Sequence, residues 1–121
     1  MQNKLESRLI FFSVRIIKFS EKLLNTEASK VLKSQILRSA TSTALNYAEA
    51  QNAQTRKEFI YKVSIAFKEL RETNVNLRII NEAQLFRDTN QMLDLLKETA
   101  ELHAIFTSIL ITAKKNQQKN K

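Results

Sequence analysis

The 121-residue chain contains no glycine, no proline and no cysteine. Average usage would place roughly eight glycines and six prolines in a chain of this length. Hairpins and β-sandwiches depend on those residues at their turns, whereas helices are punctuated by side-chain caps. The double absence points to an all-α fold in which any position of positive φ must be served by Asn, Asp, Gln or Ser. Without glycine no Gly-rich phosphate loop can form, and without cysteine there is neither a disulfide nor a thiolate metal site. The single histidine, His103, cannot build a zinc centre, and Glu98 and Glu101 lack the Glu-x-x-His spacing that carboxylate-bridged metals use. A Ser or Thr nucleophile would have only that histidine as its base, so neither a cofactor nor enzymatic activity is expected.

Long apolar runs are missing as well. The longest, Leu9-Ile10-Phe11-Phe12, has four residues, against the ~20 needed to span a bilayer. The N-terminus offers no signal-peptide core, and a cytoplasmic protein without a membrane role is expected. What is abundant is positive charge. Twenty Lys and Arg oppose twelve Asp and Glu, for a net charge of +8, which makes a polyanion the first partner to consider.

Apolar period and caps define four helices. Leu5, Leu9, Phe12, Ile16, Phe19 and Leu23 alternate spacings of four and three, which predicts a first helix to about Leu24. Thr26 or Ser29 caps a second helix to about Gln51. Thr55 with Glu58 has the capping-box pattern and opens a third, to about Glu82. Asp88, Thr89 or Asn90 opens a fourth. Short connections imply an up-down-up-down antiparallel four-helix bundle over residues 1–113, followed by a Lys-rich tail, 114–121, expected to fray.

The first helix carries more apolar surface than one bundle uses. Beside its seam, Ile10, Val14 and Ile17 form a second stripe, expected to be an oligomer interface. On the far side, Lys4, Arg8, Arg15, Lys18 and Lys22 surround Phe11. Such a stripe reads either as a solvated face or as a phosphate-binding strip with one stacking ring. In the second helix, Ser39, Ala40, Thr41, Ser42, Thr43 and Ala44 are small enough to bring a neighbouring backbone close. Arg38, Asn46 and Glu49 share a side of that helix, and with Glu69 and Glu72 of the third they are expected to form a structural or interfacial polar network.

Three groups of residues in this region carry a family likeness. They are Gln35-x-x-Arg38-Ser39-x-x-Ser42 with Asn46-x-x-Glu49-Ala50, then Lys57-Glu58-Phe59, and Ala66-x-Lys68-Glu69-x-x-Glu72-Thr73. Through them, residues 34–80 resemble the four-helix-bundle proteins encoded in intervening sequences of 23S ribosomal RNA genes. A more distant similarity is to the accessory variability protein of diversity-generating retroelements, thought to bind nucleic acid and a reverse transcriptase. The resemblance implies a homopentameric ring, in which five copies at +8 each would carry +40.

Between Lys30 and Lys68 seven basic residues face two acidic ones. Lys4, Arg8, Arg15, Lys18, Lys22, Lys30, Lys33, Arg56, Lys57 and Lys62 are therefore the candidate RNA- or DNA-binding residues, in an accessory of a ribonucleoprotein or RNA-processing system. The competing expectation is a protein-interaction scaffold whose charge serves solubility alone.

Overall fold

The computed structural model describes residues 3–119. Four helices follow one another: α1 Lys4–Glu21, α2 Glu27–Gln51, α3 Arg56–Glu82 and α4 Thr89–Lys119. The described residues contain no strand.

The caps explain the boundaries. Asn3 Oδ1 accepts from the Leu5 and Glu6 amides at 2.9 and 3.1 Å, starting α1. Thr26, not Ser29, caps α2, its hydroxyl oxygen accepting from the Ser29 amide at 3.0 Å. Thr55 takes the Glu58 amide at 3.0 Å, but the Glu58 carboxylate returns to the amide of Gln54, one residue before the cap. Asp88 accepts from Gln91 and opens α4. The first helix stops at Glu21, short of the expected Leu24, because Lys22 leaves the helical region and the Leu24 amide bonds Leu85 O at 2.9 Å, tying two loops together.

One described residue, Gln84, has positive φ, at 56°. It ends α3 where glycine is the usual choice. The Leu85 amide bonds Ile80 O and the Gln84 amide bonds Asn81 O, the pair of bonds that closes a Schellman turn. Leu85 and Ile80, which flank that turn, are both buried.

Cross-helix pairs run antiparallel throughout. Asn3 meets Gln51 and Ser13 meets Ala40 between α1 and α2. Arg38 meets Glu69 and Lys62 meets Glu49 between α2 and α3. Between α3 and α4, Asn74 bonds Thr99 and Phe67 stacks near Phe106. The core is formed by Leu9, Phe12, Ile16, Phe19, Ile36, Leu70, Leu77, Ile80, Leu95, Leu102 and Phe106.

Packing is uneven around the bundle. On the α2–α3 seam the buried Ser39 meets the buried Thr73, and Ala40 and Thr43 beside Ser39 on α2 are buried too. The hydroxyls of Ser39 and Thr73 lie 2.8 Å apart, and those of Thr43 and Thr73 donate to carbonyls four residues back, so no buried side-chain polar atom among the described residues lacks a partner. No Cα of α1, by contrast, comes within 8 Å of a Cα of α4. That gap is bridged by the long side chains of Arg8 and Glu98, while Phe19 packs against Phe86 of the α3–α4 connection, their ring centroids 4.3 Å apart. The expected boundary after Ala113 marks the last buried side chain among the described residues but not a helix end. The helix runs on to Lys119 because Lys114-Lys115-Asn116-Gln117-Gln118 contains no breaker. Asn120 and Lys121 of the expected tail lie outside the described residues.

Candidate nucleic-acid interface

α1 and α3 each pack on α2, no Cα of one lies within 8 Å of a Cα of the other, and α1 reaches α4 through Arg8 and Glu98, so α1 and α3 occupy opposite corners of the bundle. Their solvent faces point apart. The ten cations picked from the sequence consequently do not form one surface. Lys4, Arg15 and Lys18 lie along α1, and Lys22 caps its C-terminal end. Lys30 and Lys33 line a cleft with Ser20, Leu23 and Thr26, at the opposite end from Arg56 and Lys57.

Several of those cations are already engaged. Arg8 donates from Nε and Nη2 to both oxygens of Glu98, at 2.9 and 2.6 Å, with Glu101 3.7 Å away. Lys62 donates to Glu49 at 2.6 Å, and Lys30 reaches Glu27 at 3.4 Å. Hydrogen bonding to its carboxylate raises the pKa of Arg8 and of Lys62. Arg8 and Lys62 therefore enter ion pairs within the chain.

The polar network divides in the same way. Arg38 spans Glu69 at 2.9 Å and Glu72 at 3.0 Å, and its pKa is raised chiefly by the bond to Glu72 and the charge of Glu69. Glu49 belongs instead to Lys62, and the Asn46 amide donates to Ser42 O within its own helix. Helix geometry is the reason. Glu49 lies eleven residues, about 16 Å, along α2 from Arg38, too far for one guanidinium to reach.

On α1, Ile10, Val14 and Ile17 are 49%, 39% and 40% exposed. Ile10 and Ile17 lie three and four residues from Ser13, whose hydroxyl touches α2, so they continue that flank outwards. Phe11 is 63% exposed and has the Arg15 guanidinium 6.0 Å from its ring.

The most uniform positive surface is one the sequence reading overlooked. Lys57, Tyr61, Ser64, Lys68, Arg71, Val75 and Arg78 follow one another along α3 at spacings of four and three. All but Ser64, which is half-buried, are exposed. They share an arc of about 100° and a length of about 32 Å. The row holds four cations and no carboxylate. Glu72 beside it is occupied by Arg38, and Glu82 bounds it one turn beyond Arg78. Tyr61, 63% exposed, adds a ring to this face. The spacing of its basic residues, eleven, three and seven, was visible in the sequence, but it was masked by the apolar period of the opposite side of the same helix.

No helix among the described residues is long and apolar enough to cross a membrane. Among the same residues no cluster of His, Cys, Asp and Glu could hold a metal ion.

The fold has relatives. The family model of the 23S rRNA-intervening sequence protein matches residues 3–108. A crystal structure of a protein of unknown function from the S23 ribosomal protein family of Bacteroides thetaiotaomicron VPI-5482 superposes with a TM-score of 0.79. It is 32% identical, with 87% of this chain and 96% of that one covered. No match is found among curated proteins. A four-helix chain matched by that family model over most of its length belongs to the 23S rRNA-intervening sequence protein family.

Proposed function

We propose that this protein is a non-enzymatic, self-associating four-helix bundle that binds RNA or DNA electrostatically in the cytoplasm. It would act as an accessory to a ribonucleoprotein or RNA-processing system. The observation that carries the reading is the α3 row, in which Lys57, Lys68, Arg71 and Arg78 are exposed and none is paired with a carboxylate. Phosphate contacts of this kind supply affinity without sequence choice, and Tyr61 offers a face on which an unpaired base can stack. Specificity would then come from the shape of the nucleic acid.

Self-association is supported by Ile10, Val14 and Ile17, whose exposure leaves an apolar strip that another copy would cover. The assembly expected from the family resemblance is a homopentameric ring. The same strip favours a second reading, a scaffold that recruits a protein partner and has no nucleic-acid role.

Fluorescence anisotropy of a labelled structured RNA and a matched DNA duplex, titrated at low and near-physiological salt, separates the two. Four phosphate contacts per protomer predict a slope of log affinity against log salt of about −3.6 on a duplex and about −2.8 on a single strand. Absence of binding at both salts overturns the nucleic-acid reading and leaves the scaffold.

A further inference from the structure

Where the α3 row meets α4 there is a cleft of about 420 Å³ whose lining includes Arg71, Asn74, Arg78, Thr99, Ala100 and His103. No carboxylate lines it. The contrast with the other seams is chemical: Arg8 and Arg38 each have two glutamates in reach, whereas the side chains of Arg71, Arg78 and His103 take part in no ion pair or hydrogen bond among the described residues. The donors are nevertheless held in place. The Arg71 guanidinium lies 5.0 Å from the centroid of the Phe67 ring, and that ring is 4.7 Å from the His103 imidazole. One aromatic ring thus braces both, while the N–H edge of Arg71 stays open. Asn74 Nδ2 donates to Thr99 Oγ1 at 2.7 Å, and that hydroxyl donates on to Leu96 O at 2.8 Å. The amide is pinned by one N–H, and the other has no partner.

We propose that this cleft binds the terminal phosphate monoester of a nucleic-acid strand, an inference that rests on the nucleic-acid reading of α3. Charge selects the group. Two guanidinium groups match the ~1.5 to 2 negative charges of a monoester at neutral pH better than the single charge of an internal diester. Planar guanidinium forks also suit an oxygen-rich terminal group that accepts on several edges. Position selects the strand. Arg71 and Arg78 are the last cations of the row, so a chain anchored in the cleft leaves along α3 towards Lys68 and Lys57.

The test uses the full chain and one short RNA in three forms, with a 5′-monophosphate, with a 3′-monophosphate, or with hydroxyls at both ends. One phosphorylated form is expected to bind at least about tenfold more tightly than the hydroxyl form, the worth of a few charge-assisted hydrogen bonds. Ala100→Glu places a carboxylate in the cleft at an exposed helical position outside the row, and it should erase that advantage, with circular dichroism confirming the fold. His103→Gln should reduce it in part. Equal binding of all three RNAs, or an advantage that survives Ala100→Glu, overturns the strand-end site while leaving the α3 row intact. Loss of binding to every RNA removes both readings. A free nucleoside 5′-monophosphate that binds as tightly as the phosphorylated RNA overturns the strand-end assignment in favour of a small-molecule ligand.

Discussion

The outward faces of α1 and α3 are both rich in Lys and Arg, yet they present different surfaces. On α1 the best-placed guanidinium, Arg8, is taken by Glu98, and an apolar strip runs beside the remaining cations. On α3 the cations stand clear: Glu69 and Glu72 are held by Arg38, and neither Glu58 nor Glu82 pairs with a cation of the row. The difference teaches that charge counted along a chain is not charge presented. The neighbouring helix decides which cations are spent within the chain.

The largest expected effect comes from reversing the α3 row. Lys57→Glu, Lys68→Glu, Arg71→Glu and Arg78→Glu together should weaken RNA binding at least about a hundredfold and flatten its salt dependence. Reversing Lys4, Arg15, Lys18 and Lys22 should cost less than about threefold. Anisotropy titrations compare the two directly, and the opposite ranking moves the site to α1.

The apolar half of the comparison is broken by Ile10→Asp with Ile17→Asp. Light scattering after size exclusion should show these protomers as monomers with undiminished helicity. An assembly of unchanged mass would place the interface elsewhere.

A smaller effect distinguishes spent cations from free ones. Arg8→Ala leaves the largely covered Glu98 without its main partner and should lower stability by about 1–2 kcal/mol. Arg78→Ala should stay within about 0.5 kcal/mol of the parent, as exposed unpaired side chains do. Urea denaturation of the two variants is the check.

The smallest effect concerns Tyr47, buried between the helices with its hydroxyl donating to Asn3 Oδ1 at 3.3 Å. Burial raises its pKa, and the charge of Glu6 acts in the same direction. The folded state therefore favours the neutral phenol. Its contribution to stability is complete below the ordinary value of about 10 and is lost as pH rises through the higher folded value. Tyr47→Phe should unfold over a narrower loss of stability above pH ~10 than the parent, seen in parallel denaturation series; identical alkaline profiles would contradict it.

Most of the fold was legible. Thr26, Thr55 and Asp88 cap helices within the ranges that side-chain chemistry marked, since a cap is a local hydrogen bond. The end of α1 was less legible, because Leu24 is drawn away by Leu85, a residue sixty-one positions further on. The candidate site was legible only in part. Lys57 was singled out, while Lys68, Arg71, Arg78 and Tyr61 were not, because ion pairing across helices depends on registry between segments distant in sequence.

By itself the sequence determined the helical class, the number of helices and the small-residue seam of α2. The absence of glycine and proline, the apolar period and the capping side chains act over a few residues and leave little alternative. Only the tertiary structure decided which cations are neutralised, which face is left uniformly basic and where a cleft opens between α3 and α4. Those outcomes depend on which side chain stands opposite which, and that is settled when whole helices pack.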